Sequence, residues 1–192
     1  LEFNGVKILV HAFSGAGKTV LCATAKEPTI ILSAEAGLRS LKKFSGLDPG
    51  RFRSIKFIRI KNLHDLRDAY KFVKKKKVAK IFQWLCLDSI SEIAEQVLKY
   101  EKIESRDARK GDGNLKEEVL DILRKFRDLP YDVCLTSKQQ MQDGVHIPLL
   151  PGNALQQEIP YMFDEVFALR VEHEDSDEDD DEDAAGKEGA SR

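Results

Sequence analysis

Short apolar runs alternate along this chain with stretches in which apolar residues recur every three or four positions. The runs at residues 6–10, 29–32, 55–60, 81–87, 133–136 and 165–171 predict strands. Between them, residues 18–25 predict a helix. Leu63, Leu66, Tyr70 and Val73 mark one face of a second helix, opened by Asn62 as cap with Asp65 three residues on. Ile90, Ile93, Ala94 and Val97 mark a third. Leu115, Val119, Ile122, Phe126 and Leu129 mark a fourth, which must stop before Pro130 because the proline ring disfavours a helical residue ahead of it. Strand and helix in alternation predict an α/β fold: a mostly parallel sheet sandwiched by helices.

Two segments fit none of these elements. Residues 99–114 are polar and charged, with Gly111 and Gly113; residues 139–153 contain Gly144, Pro148, Pro151 and Gly152. Loops of that length in a compact domain are usually functional or mobile. No internal repeat is visible. Residues 1–171 fit one ordinary domain, whereas nine of the eleven residues 173–183 are acidic and predict a disordered acidic tail over 172–192.

Charge sharpens that division. The 31 basic and 33 acidic side chains sum to −2, but the tail alone carries −9 and the body +7. A cationic body points to an anionic partner. No apolar run approaches the ~20 residues of a membrane span, so no membrane association is expected. Cys22, Cys86 and Cys134 lie in apolar stretches without paired spacing, which favours reduced, buried thiols over a disulfide framework or a zinc site. A soluble intracellular protein is expected. The first residue is Leu1, so the start is expected to be cloned, processed or truncated.

One motif carries the chemistry. Ala12-Phe13-Ser14-Gly15-Ala16-Gly17-Lys18-Thr19 is a Walker A sequence with alanine in place of its first glycine. It follows a predicted strand and opens a predicted helix, the context the motif requires. The glycines let the backbone wrap closely, so that the amides of Ser14 to Val20 can face one anion. Lys18 is expected to reach the β- and γ-phosphates of ATP, and the Thr19 hydroxyl to ligate Mg²⁺. Asp88 ends the apolar run Trp84-Leu85-Cys86-Leu87 and is the candidate second acid at the metal, as on a Walker B strand. Glu35 follows the second strand, on the edge where parallel sheets bind ligands, and is the candidate for orienting water.

In this order the segments resemble the RecA/RadA-type recombinase core: the Walker A turn, Ile31 to Ala36, Leu85 to Ser89, Cys134 to Gln139, and Pro151 to Leu155. The chain is most similar to the short phage-encoded RecA-like ATPases linked to single-strand annealing. The resemblance implies Glu35 as catalytic glutamate, Asp88 as Walker B acid, and Ser137, Lys138 or Gln139 as a nucleotide-sensing residue. Family members carry glutamine where Lys138 aligns, so Lys138 is a candidate cation for a γ-phosphate, including that of a neighbouring subunit. It also implies two DNA-binding loops. One, 99–114, supplies Lys102, Arg106, Arg109 and Lys110; the other, 139–153, supplies Gln140 and Gln142 beside Gln139 and His146. Single-stranded DNA, a homo-oligomer as ring or short filament, a single-strand-binding or replication and recombination partner, and the cytoplasm of a phage-infected bacterial host are the corresponding expectations. No segment fits a terminal polymerisation domain, which favours annealing over strand exchange.

Other classes stay open. They are a nucleotide-gated binding or adaptor protein with little turnover, a small-molecule kinase whose lid is 106–114, and an inactive module of a larger motor. A dense cationic patch, Lys71, Lys74 to Lys77 and Lys80, reads as a phosphate-tracking surface or a solvated helix end. His64 and His146 form no ligand set.

Overall fold

Seven strands form one sheet in the order β3-β2-β4-β5-β1-β7, with β6 paired to the far half of β5. The strands are β1 (Lys7–Ala12), β2 (Thr29–Ser33), β3 (Ile55–Arg59), β4 (Trp84–Asp88), β5 (Asp132–Gln142), β6 (Val145–Leu149) and β7 (Glu165–Ala168). The helices are α1 (Lys18–Ala23), α2 (Leu63–Val73), α3 (Lys76–Ala79), α4 (Ile90–Glu104), α5 (Asp112–Arg127) and α6 (Asn153–Glu158). The computed structural model describes residues 5–25, 28–34, 41, 51–104 and 112–172. The expected acidic tail therefore lies, apart from Glu172, outside the described residues.

All strand pairs are parallel except β5 with β6. The central strands carry unbroken apolar runs, Ile8 to Val10, Ile30 to Leu32, Leu85 to Leu87 and Val133 to Leu135, because both faces are covered there. Leu9, Ile30, Leu32, Leu85, Leu87, Val133 and Leu135 face the larger core, which takes in Leu66, Val97, Val119 and Phe126 from the helices. Val10, Ile31, Cys86 and Cys134 face the smaller one, closed by Cys22 and Ala23 of α1. α2 begins as its sequence predicts: the Asn62 side chain accepts from the Asp65 amide at 2.8 Å, and Asp65 accepts from the Lys61 amide at 3.0 Å.

Four expectations are corrected. Residues 81–83 are not strand: Ile81 and Phe82 bond back to the Val78 carbonyl and continue the turn of α3, leaving Ile81 exposed. β7 ends at Ala168, not at residue 171. Residues 99–114 are not a continuous loop, because α4 runs to Glu104 and α5 starts at Asp112; residues 105–111 lie outside the described residues. Nor is 139–153 a loop. β5 continues to Gln142, turns at Asp143 (φ 50°) and Gly144 (φ 78°), and returns as β6. Two positive φ values in succession give a turn whose twist matches the strands of a hairpin.

Candidate active site

The ends of the parallel strands β1 and β4, with the middle of β5 between them, frame one cleft. β1 delivers the chain into the turn at Phe13, and Gly17 caps α1 in the left-handed region at φ 92°. Gly15 lies there too, at φ 82°. A Cβ at either glycine would meet nothing within 4 Å, so the requirement for glycine comes from the backbone angle and not from space. The cleft, of about 580 Å³, is lined by the turn, by Lys18, Thr19 and Val20, and by Asp88, Glu92, Lys138 and Gln139 from the neighbouring elements.

At the centre stands Asp88, only 4% exposed. One carboxylate oxygen accepts from the Thr19 hydroxyl at 2.6 Å and the other from the Thr136 hydroxyl, also at 2.6 Å. Hydrogen bonds of that length to a carboxylate are strong and directional. Lys18 folds across the turn, donating to the carbonyls of Ala12 and Phe13 at 3.0 Å each. The Asp88–Ser89 peptide bond is cis. The Ser89 hydroxyl accepts from the Glu92 amide at 3.3 Å, at the start of α4.

The middle of β5 divides the three candidate sensing residues. Ser137 is fully buried, and its hydroxyl has no hydrogen-bond partner among the described residues. Lys138 pairs with both Glu92 and Glu95 of α4. Partial burial works against its charge, but the hydrogen bonds it donates to those carboxylates outweigh it and hold the ammonium pKa above the ordinary lysine range. Lys138 is thus a compensated cation of this subunit's own cleft wall. The Gln139 side-chain oxygen accepts from His11 Nδ1 at 2.9 Å, and its amide nitrogen donates to His146 Nδ1 at 2.9 Å. The ring of His146 meets Phe13 of the turn edge-on, with centroids 5.7 Å apart. The polar chain from β1 through β5 to β6 therefore returns to the turn.

Sequence reasoning missed Thr136, Glu92 and His11. Only the pairing of β4 with β5, Leu87 opposite Leu135, sets Thr136 beside Asp88. Of the other candidates, Glu35 lies outside the described residues, as do Arg106, Arg109 and Lys110. Lys102 falls in α4, with its side chain outside them. Gln140 and Gln142 share one face of β5 in the hairpin, and neither lines the cleft.

Residues 4–190 match the family described as AAA domain. The chain belongs to that family. A search of curated proteins finds no match. Among solved structures, the KaiC-like protein of the hyperthermophilic archaeon Pyrococcus horikoshii OT3 is 23% identical over 70% of this chain and 61% of its own, with a TM-score of 0.43. An ATPase from the type III secretion system of pathogenic bacteria is 17% identical over 86% of this chain and 52% of its own, with a TM-score of 0.55. This chain thus spans less than two thirds of either neighbour. The second likeness is one of fold, and the fold is that of a RecA-like P-loop NTPase core. No helix among the described residues is long and apolar enough to cross a membrane.

Proposed function

We propose that this AAA domain protein binds Mg·ATP at the turn of residues 12–19, hydrolyses it, and couples the nucleotide state to single-stranded DNA. The observation that carries the reading is the contact between Thr19 and Asp88 at 2.6 Å, which joins a hydroxyl and a carboxylate at the mouth of the phosphate-binding turn. These are hard oxygen donors of the kind Mg²⁺ takes. When bound, Mg²⁺ would neutralise charge on the transferring phosphoryl group. Lys18 is two hydrogen bonds away from serving the same end, because its ammonium can exchange the carbonyls of Ala12 and Phe13 for phosphate oxygens.

Glu35 is proposed as the group that orients water. Glu92, which lines the cleft, is its rival within the described residues. The two are separated by Glu35→Gln and Glu92→Gln: the variant that loses turnover while keeping nucleotide affinity identifies the group. Lys18→Ala is expected to abolish turnover, and normal hydrolysis by that variant would overturn the assignment of the cleft. The pairing of Lys138 with two glutamates supports a second reading, a nucleotide-gated binding protein with slow turnover. Glu35→Gln with an unchanged basal rate favours that one.

A nucleic-acid substrate, an annealing or recombination role of the phage-encoded type, and assembly into a ring or short filament complete the proposal. They rest on the resemblance of the motifs and on the cationic body. ATP turnover measured with and without single-stranded DNA, at low and raised salt, tests them. Stimulation that weakens with salt is expected.

A further inference from the structure

Beneath the P-loop helix, three thiols converge. Cys22 of α1, Cys86 of β4 and Cys134 of β5 are each at most 3% exposed, and their sulfurs lie within 4.8 Å of one another. None is in a disulfide. They come from three separate elements, packed together with Val10, Ala23, Ile31, Leu41 and Ile55. The polar contact at the cluster is the carbonyl of Cys22, 3.9 Å from the Cys86 sulfur. No other set of three histidine, cysteine or acidic side chains among the described residues converges in this way.

Three sulfurs bound to one small centre at about 2.3 Å stand about 3.5 Å apart if the centre is pyramidal and about 4 Å apart if it is planar. The three sulfurs, within 4.8 Å of one another, already stand close to that spacing. What can occupy it is decided by charge. An apolar enclosure penalises any net charge by several kcal/mol. Three thiolates around a divalent cation leave one negative charge, and around a monovalent cation two. Three thiolates around a trivalent centre leave none. Zinc also wants a fourth ligand, which the described residues do not offer here.

We propose that Cys22, Cys86 and Cys134 form a binding site for a trivalent thiophilic metalloid of the arsenite class. Each thiol transfers its proton to one hydroxyl of As(OH)₃, which leaves as water. Three As–S bonds form, three As–O bonds break, and arsenic stays trivalent, so neither oxidant nor reductant is needed. Hydrogen bonding to Cys134 and Cys86, with burial added, holds the Cys22 thiol well above the ordinary range, whereas hydrogen bonding to Cys22 and Cys86 holds Cys134 well below it. The product would tie α1, three residues past Thr19, to β4, two residues before Asp88.

The test uses the full chain and sodium arsenite, read by native mass spectrometry and thermal melting, and is independent of ATP hydrolysis. The expected adduct is one arsenic per chain with three hydrogens lost and no hydroxyl retained. Tm should rise with arsenite, because the folded state gathers the three sulfurs and the unfolded chain does not. Cys22→Ala, Cys86→Ala and Cys134→Ala should each lose the three-hydrogen adduct and the rise in Tm. An adduct that keeps a hydroxyl, a Tm that stays or falls, or a larger rise with Zn²⁺ than with arsenite would each overturn the proposal. These readouts use the wild-type chain, so they hold even if a cysteine variant fails to fold.

Discussion

His11 sits two residues before the P-loop turn and is 4% exposed. Burial lowers its pKa, and His146 and Arg170 push the same way against the hydrogen bond it donates to Gln139. The neutral imidazole is therefore the folded form. As pH falls through about 6.5, the unfolded chain takes up a proton that the folded chain refuses. Stability should decline through that window and level off below the folded pKa. His11→Asn, which keeps a polar partner for Gln139, should flatten the fall in Tm between pH 7 and pH 5 relative to wild type. An unchanged slope would show that His11 does not resist protonation.

The same scale separates two neighbours on β5. Thr136→Val removes a donor from a buried carboxylate and should cost about 1–3 kcal/mol in urea denaturation, while Thr136→Ser should retain most of it. Ser137→Ala removes a hydroxyl that has no partner among the described residues, and should be neutral or slightly stabilising. Lys18, Thr19 and Asp88 were legible in the sequence because motif spacing and a strand end announce them. Thr136, Glu92 and His11 were not, because their roles come from register and packing across elements far apart in the chain.

Among the elements, those with one buried face declared themselves, and those built from polar residues did not. The helix face of Leu63, Leu66 and Val73 appears where the periodicity put it. The β5–β6 hairpin stayed hidden because Gln139, Gln140 and Gln142 give no apolar alternation; the pairing with β6 and the turn hold it instead. That turn has a measurable requirement. Gly144 has open space around it but a φ of 78°. Gly144→Ala should therefore cost about 1 kcal/mol through the backbone alone, whereas Asp143→Gly should be close to neutral. If Gly144→Ala melts with wild type, the hairpin turn is not formed as described. The hairpin is also where the two glutamines stand together, so Gln140→Ala with Gln142→Ala should weaken binding to single-stranded DNA if that strand touches it. Unchanged affinity would remove the hairpin from the nucleic-acid surface.

For the whole molecule, the division of charge at residue 172 matters more than the sum of −2. Residues 1–171 carry +7 and residues 172–192 carry −9. Part of the cationic surface is fixed in place: Lys74 lies over Tyr70 at 5.6 Å, and Lys56 and Lys75 over Phe72 at 5.3 and 6.0 Å. Such contacts hold ammonium groups outward without neutralising them. A polyanion bound there would release counterions, and so would the chain's own acidic segment. The two would then compete. Removing residues 172–192 should tighten binding to single-stranded DNA several-fold at low salt. It should also steepen the dependence of affinity on salt, because the tail no longer takes back counterions when DNA displaces it. Raising the salt should bring the two proteins together, since screening weakens the tail's hold on the body first. Identical affinities and identical salt slopes for the full chain and the truncated one would mean that the tail only solvates the protein. The +7 body would then be open to its partner at all times.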